Sequence, residues 1–269
     1  MKINHKTASL ILAAGRGTRM TGYEGNKTLL PLIPTESPYR GTQSILSHIL
    51  KELPAGNKAI VVNHRKEDIV NATRGSGLTY IEQPELNGTG GALIAALPFL
   101  VQGDDEYAII TMGDVPLVRS GSYMKLLQKL EANSFAVLGF RPASRKKYGL
   151  LQLKKNRVAG IVEWEYWRHY PERELEKLQI CNSGIYAARK KDLIHYISIL
   201  SSKPHIVQKE IHGKATEIHE YFITDLVAYM HNDKLPIACV LGNEEEVMGV
   251  DDMQALLQVQ QIYRSHGED

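Results

Sequence analysis

The sequence predicts an α/β fold built on a mostly parallel, doubly wound sheet. Three observations predict it: six apolar runs of strand length, their continuous rather than alternating hydrophobicity, and the helical patterns set between them. Strands covered by helices on both faces read as unbroken apolar runs, and strands alternating with helices mark parallel sheets.

In chain order, residues 10–13 form the first strand, running into a glycine-containing loop. Lys2 and Lys6 precede this apolar run, but it is at the short limit for a signal peptide. Residues 31–41 are rich in turn formers and read as an exposed loop, with 34–42 having the character of an insertion. A helix at 45–50, a strand at 59–62, a short strand at 78–82 and a helix at 90–100 follow. Strands at 107–112 and 136–140 flank a helix at 123–131. Residues 148–164 interrupt this alternation: Lys154, Lys155 and Asn156 separate two apolar runs, the pattern of a β-hairpin. A strand at 185–188, helices at 190–200 and 221–231, a strand at 237–241 and a helix at 252–263 complete the chain, read as one domain over residues 1–269.

Composition narrows the function classes. The 269 residues carry 32 Lys plus Arg against 30 Asp plus Glu, a balance that argues against nucleic-acid or membrane-surface binding. No stretch approaches the roughly 20 apolar residues of a transmembrane helix. Cys181 and Cys239 lie far apart without metal-ligand spacing, as expected of reduced thiols in a cytoplasmic protein. Neither H-E-x-x-H nor G-x-S-x-G occurs, so metalloprotease and serine-hydrolase chemistry lack support.

Ligands on doubly wound sheets collect beyond the carboxyl ends of the strands. There the first strand delivers Leu12-Ala13-Ala14-Gly15-Arg16-Gly17-Thr18-Arg19-Met20, with Lys27 shortly after. The glycines admit backbone amides to a polyphosphate, and Arg19 and Lys27 offer cations to its oxygens. A P-loop would need Gly where Asn26 precedes Lys27, and a dinucleotide fingerprint would need Gly or Ala where Met20 stands.

This nonapeptide resembles the signature of the sugar-1-phosphate nucleotidyltransferases, in particular the uridylyltransferase domains of bifunctional UDP-N-acetylglucosamine pyrophosphorylases. The likeness continues, in order, through Gly88-Thr89-Gly90, Gly113-Asp114-Val115-Pro116-Leu117, Tyr148-Gly149, Gly160-Ile161-Val162-Glu163, Asn182-Ser183-Gly184, Tyr221-Phe222-Ile223-Thr224-Asp225 and Glu246-Val247-Met248-Gly249-Val250-Asp251. It implies a Rossmann-like fold of the GT-A type with a small hairpin subregion for the sugar. It also implies transfer of a nucleoside monophosphate from UTP, or a related pyrimidine triphosphate, to a sugar 1-phosphate such as N-acetylglucosamine 1-phosphate.

The resemblance assigns roles residue by residue. Leu12, Ala13, Ala14, Gly15, Gly17, Thr18, Gln83, Gly88 and Thr89 are the expected nucleotide-binding set, with Gln83 and Gly88 at the pyrimidine. Read from the residues alone, Gln83 is equally a turn residue and the glycines equally admit helix packing. Asp114 and Asp251 are the expected ligands of Mg²⁺, which favours one or two carboxylates completed by water and phosphate oxygens. Asp251 is also a natural helix N-cap, a task Asp252 could share. Gly149, Glu163, Asn182 and Thr224 are the expected sugar-binding set. Arg19, Lys27 and Asp114 are the expected catalytic residues, acting by charge stabilisation rather than by acid/base chemistry.

Departures from the family pattern bear on the acceptor. Glu165 stands where relatives place lysine, Asn26 where they place proline, and Asp251 where the uridylyltransferases usually have asparagine. Cytidylyl transfer to a phosphorylated non-sugar acceptor is therefore an alternative, and a nucleotide sensor without catalysis is another. The aromatic stretch 164–170 reads as a segment packed over the hairpin rather than a stacking platform. No left-handed β-helix acetyltransferase domain is expected in this chain, and the assembly state is left as a monomer or small homo-oligomer.

Overall fold

The structure, a computed structural model, describes residues 6–15, 17, 19–20, 22–211 and 214–266. The apolar runs become strands β1 (Thr7–Leu12), β4 (Lys58–Val62), β5 (Thr79–Glu82), β6 (Tyr107–Met112), β7 (Phe135–Phe140), β10 (Cys181–Arg189) and β13 (Ile237–Gly242). Short ribbons between them are β2 (Pro31–Ser37) with β3 (Arg40–Ser44), β8 (Leu150–Lys154) with β9 (Arg157–Val162), and β11 (His205–Ile211) with β12 (Lys214–Glu220). The helices are α1 (Ile45–Glu52), α2 (Lys66–Ala72), α3 (Thr89–Gln102), α4 (Ser120–Lys129) and the one-turn α5 (Trp164–Trp167) and α6 (Glu172–Leu175). Helices α7 (Lys190–Ser201), α8 (Thr224–Asn232) and α9 (Met253–His266) follow, and a 3₁₀ turn spans Lys27–Leu29.

The central sheet runs β13-β7-β10-β6-β1-β4-β5, with β8 attached to β10 and β9 to β8. Strands β1, β4, β5 and β6 are mutually parallel, as are β7 and β13. Strand β10 lies between β6 and β7 and is antiparallel to both, so the sheet is mixed but mostly parallel, as the sequence predicts. Alternate residues of one strand serve opposite faces. Ile11, Ile60 and Ile109 join the core layer with α1, α4 and α9, whereas Leu10, Val61 and Ile110 join the layer with α3, α7 and α8. Both faces are dry, which is why these strands carry no polar alternation.

The loop expected at 31–41 is instead the β2–β3 ribbon, paired through Pro31–Ser44, Ile33–Thr42 and Pro34–Gly41. Its prolines are tolerated because the two-stranded ribbon leaves one edge of each strand without a ladder partner. Gly41 is required, since a Cβ there would lie 2.0 Å from the Ile33 carbonyl oxygen. Helix α9 secures the ribbon: the buried Gln260 amide donates to Pro31 O at 2.8 Å and Pro38 O at 2.9 Å.

The helix expected at 221–231 starts only at Thr224. Tyr221 is held extended, with its N–H donating to Asn87 O at 2.9 Å and its carbonyl accepting from Gly90 N at 2.8 Å. The hairpin expected within 148–164 is β8–β9, with Lys155 and Asn156 both at positive φ in its turn.

Replacing Gln260 with leucine keeps the volume but strands two carbonyls. Leaving buried acceptors unpaired costs on the order of 1–3 kcal/mol each, so thermal denaturation of Q260L should show a Tm lowered by several degrees. An unchanged Tm would mean that the ribbon contributes nothing to the fold.

Candidate active site

Strand β1 ends at Leu12, and Ala13 remains tied to the sheet by its N–H donating to Val61 O at 2.9 Å. The chain then leaves the sheet through Gly15 and Gly17, the latter at φ +61° with its α-carbon against the stem of Lys27. Thr18 lies outside the described residues. The 3₁₀ turn that carries Lys27 is capped by Asn26, whose side-chain oxygen accepts from Thr28 N at 3.1 Å and Thr28 Oγ1 at 2.8 Å. The Asn26 amide also donates to His64 O at 3.0 Å. The asparagine that excludes a P-loop is thus the residue that fixes Lys27.

A cavity of about 310 Å³ opens over the β1 loop. Leu12, Ala13, Ala14, Gly15, Lys27, Gln83, Gly88, Thr89 and Asp114 line it, bringing most of the expected nucleotide set together. Thr28, Leu86, Ala92 and Met112 also line it and were not singled out from sequence, because small and apolar residues carry no chemical signature there.

Gln83 is buried, and its Nε2 donates to Asn87 Oδ1 and Gly88 O, both at 3.1 Å. The Gly88 carbonyl can only accept, so the amide orientation is fixed and Oε1 is left as the acceptor. Gly88 is required by the protein's own backbone, whatever it meets in the cavity. A Cβ there would lie 2.3 Å from Tyr221 O, and φ is +95°, so the close neighbour is the protein's own backbone. Thr89 Oγ1 accepts from Ile223 N at 3.3 Å and holds the same segment.

At the cavity's rim the two acids converge. Lys27 Nζ is ion-paired to Asp114 Oδ2 and lies 3.7 Å from Asp251 Oδ1. Arg19 reaches the other oxygen of Asp251 at 3.4 Å. Asp114 leaves the end of β6 two residues after Met112, and its carbonyl accepts from Val250 N at 2.8 Å, which pins the loop carrying Asp251. The N-cap task at α9 falls to Asp252, whose Oδ1 accepts from Ala255 N at 2.8 Å. Asp251 is thereby free to face the cations. The donor set fits a divalent ion: two carboxylates already aim at one cationic centre, and hard oxygen ligands suit Mg²⁺. Among the described residues no cluster of three or more His, Cys, Asp or Glu side chains forms a self-sufficient metal cage.

The four residues expected at the sugar also meet. Gly149 O accepts from Asn182 N at 2.8 Å, and a Cβ on Gly149 would lie 3.2 Å from Glu163 Oε2. Thr224 lies near enough to the Glu163 carboxyl to favour its charged form. A bulge in β10 between Asn182 and Tyr186 turns the Asn182 side chain, whose Nδ2 donates to Tyr186 Oη at 2.8 Å while Oδ1 accepts from Gly184 N at 3.1 Å. Burial pushes the Glu163 carboxyl above its ordinary value; Thr224 opposes this, and the charges of Glu165 and Asp225 add to it. In the aromatic stretch, Trp167 is buried and donates through Nε1 to Tyr148 O at 2.8 Å, the packing role expected of this segment.

Comparison with known proteins follows the same lines. The model of a family described as the MobA-like NTP transferase domain matches residues 9–191. The bifunctional protein GlmU of Rhodopseudomonas palustris is 26% identical over 264 residues, covering 96% of this chain and 52% of its own. GlmU of Cereibacter sphaeroides is 28% identical with the same coverage. The chain spans about half the length of the curated relatives it matches. Among solved structures, the uridine diphosphate N-acetylglucosamine pyrophosphorylase of Trypanosoma brucei superposes with a TM-score of 0.72 at 13% identity, covering 95% of this chain and 65% of that one. This likeness concerns the fold.

Glu163 gives a stability test. With its folded pKa raised, the folded state holds the proton longer than the unfolded chain, so stability falls as pH rises from the ordinary value of 4.5 through the raised one. Glu163→Gln should remove that fall and be more stable than the wild type at neutral pH, as measured by denaturant unfolding at pH 4 to 8. Parallel curves for the two proteins would contradict the burial.

Proposed function

Because the chain belongs to the MobA-like NTP transferase domain family, we propose that it transfers a nucleoside monophosphate from a pyrimidine triphosphate, UTP by preference, to a sugar 1-phosphate such as N-acetylglucosamine 1-phosphate. The observation that carries this reading is the meeting of Asp114, Asp251, Lys27 and Arg19 at the rim of a nucleoside-sized cavity. The cluster of Gly149, Glu163, Asn182 and Thr224 supports a polar acceptor, since its carboxylate, amide and hydroxyl suit sugar hydroxyl and N-acetyl groups.

In the proposed reaction an acceptor phosphate oxygen attacks the α-phosphorus in line. The new bond joins that oxygen to the α-phosphorus as the bond to the β-phosphate oxygen breaks, and both electrons leave with pyrophosphate. The nucleophile is already anionic, so no side chain removes a proton. Lys27 stabilises charge gathering around the α-phosphate, and Arg19 receives the leaving pyrophosphate. Asp114 and Asp251 would hold Mg²⁺, which when bound neutralises and aligns phosphate oxygens. The protein contributes mainly position and a preset field, which spares reorganisation at the moment of bond exchange.

Base preference rests on Gln83. With Nε2 committed to Asn87 and Gly88, Oε1 is left as an acceptor, which would suit the N3–H of uracil or thymine. Cytosine N3 is itself an acceptor and makes no such bond. The expected location is the cytoplasm; among the described residues no helix is long and apolar enough to cross a membrane.

Asp114→Ala should lower turnover by roughly 10²–10³ or more, by analogy with other preset charge-stabilising groups. Purified protein crossed against UTP, dTTP and CTP and a panel of sugar 1-phosphates and non-sugar phosphates, with pyrophosphate release as the readout, tests the reading. Near wild-type release from the mutant sinks the Asp114 assignment, and no release with any pair sinks the proposed activity.

A further inference from the structure

Beside the nucleoside cavity lies a second one of about 780 Å³, entered past Asp251 and walled by Arg19, Lys146, Lys147 and Tyr148. The two cavities divide the charged centre between them: Lys27 and Asp114 line the first, Arg19 and Asp251 the second. A polyphosphate laid from a nucleoside in the first cavity across the acids would therefore run into the second.

That second cavity presents three cations, Arg19, Lys146 and Lys147, alongside the carboxylates of Asp251 and Asp252. The loop that carries the two lysines also holds Arg141 and Arg145, which line a different cavity together with Lys146. Arg141 donates to Gln179 Oε1 at 2.8 Å and Arg145 to Leu175 O at 2.9 Å, both neutral acceptors. Among the described residues, no carboxylate forms an ion pair with any of the four. Lys146 and Lys147 are exposed, and an anion between them and Arg19 would offset the repulsion among the three cations.

The loop is held rather than loose. Lys146 sits at φ +44°, and Trp167 Nε1 fastens the next turn through Tyr148 O at 2.8 Å. Lys147 Nζ rests 4.5 Å from the Trp164 ring centroid, and the Arg168 guanidinium lies 4.8 Å from the same ring.

We propose that Lys146 and Lys147 form, opposite Arg19, a phosphate-binding wall that receives the β- and γ-phosphates of the triphosphate and holds the departing pyrophosphate. The inference rests on the nucleotidyl-transfer reading and adds to it the groups that meet the leaving group. The acceptor's own phosphate has the same chemistry. The triphosphate tail is favoured because Arg19 shares the β1 loop with the residues lining the nucleoside cavity.

Both tryptophans of the chain touch this loop, so binding has a readout independent of turnover. Titration of the full chain with inorganic pyrophosphate and Mg²⁺ should change tryptophan fluorescence saturably. The double variant Lys146→Gln, Lys147→Gln should weaken that binding and raise the KM for the triphosphate by about 10- to 100-fold, the worth of lost charged hydrogen bonds. Lys147→Arg should retain most of the affinity, and the KM for the acceptor should stay within twofold.

Pyrophosphate affinity unchanged in the double variant overturns the proposal. So does a rise confined to the acceptor's KM, which would give the wall to the acceptor phosphate. Lysine-dependent pyrophosphate binding in a chain that turns over no nucleotide and acceptor pair would uphold the wall while removing the catalytic reading beneath it.

Discussion

The ammonium of Lys27 joins three parts of the chain that otherwise have no reason to meet. It comes from the 3₁₀ turn after β1, pairs with Asp114 at the end of β6, and faces Asp251 in the loop before α9. Two carboxylates that face one ammonium repel each other. A lysine largely withdrawn from solvent, with 14% of its side chain exposed, offsets that repulsion and is itself stabilised by them. The arrangement fixes the acids before any ligand arrives. The Val250 N–H on the Asp114 carbonyl adds a backbone constraint, so the spacing of the acids does not depend on side chains alone.

What the sequence made legible follows from the strength of each physical signal. Strands buried on both faces have no choice but to be apolar, so β1, β4, β6, β7 and β13 were readable within a few residues. The glycine nonapeptide and Asp114 stood out because each follows directly on the carboxyl end of a legible strand. The β2–β3 ribbon was not, since Pro31, Pro34, Pro38 and Gly41 send turn signals that outweigh a pairing stabilised from outside by Gln260. The β11–β12 ribbon went unread for a related reason: it pairs apart from the central sheet, and its polar residues give no buried period.

Several site features were present in the sequence but undecidable there. Asp251 and Asp252 both suit an N-cap, and only the bond from Ala255 N shows that Asp252 does the capping. Gly88 looked like a place for a ligand to approach closely, yet the crowding atom is Tyr221 O, brought in by backbone pairing from far along the chain. Lys146 and Lys147 belong to no motif that the sequence offers. Nothing local says that a cavity opens beside them, although three successive cations from Arg145 to Lys147 with no nearby acid in sequence were the available hint.

The distribution of charge about the acids is uneven in a way that bears on direction. On one side Glu163, Glu165 and Asp225 collect around Gly149 and Asn182, and their mutual repulsion helps to raise the Glu163 pKa. On the other, Arg19, Lys146 and Lys147 face the second cavity. On the proposed reading, carboxylates at the acceptor's end would disfavour a second anion there and suit hydroxyl or amine groups. In the proposed transfer, bond exchange at the α-phosphorus would move charge onto the leaving group, which the cations of the basic loop would stabilise. Glu165, which stands where the family pattern has lysine, adds to the negative charge about Glu163.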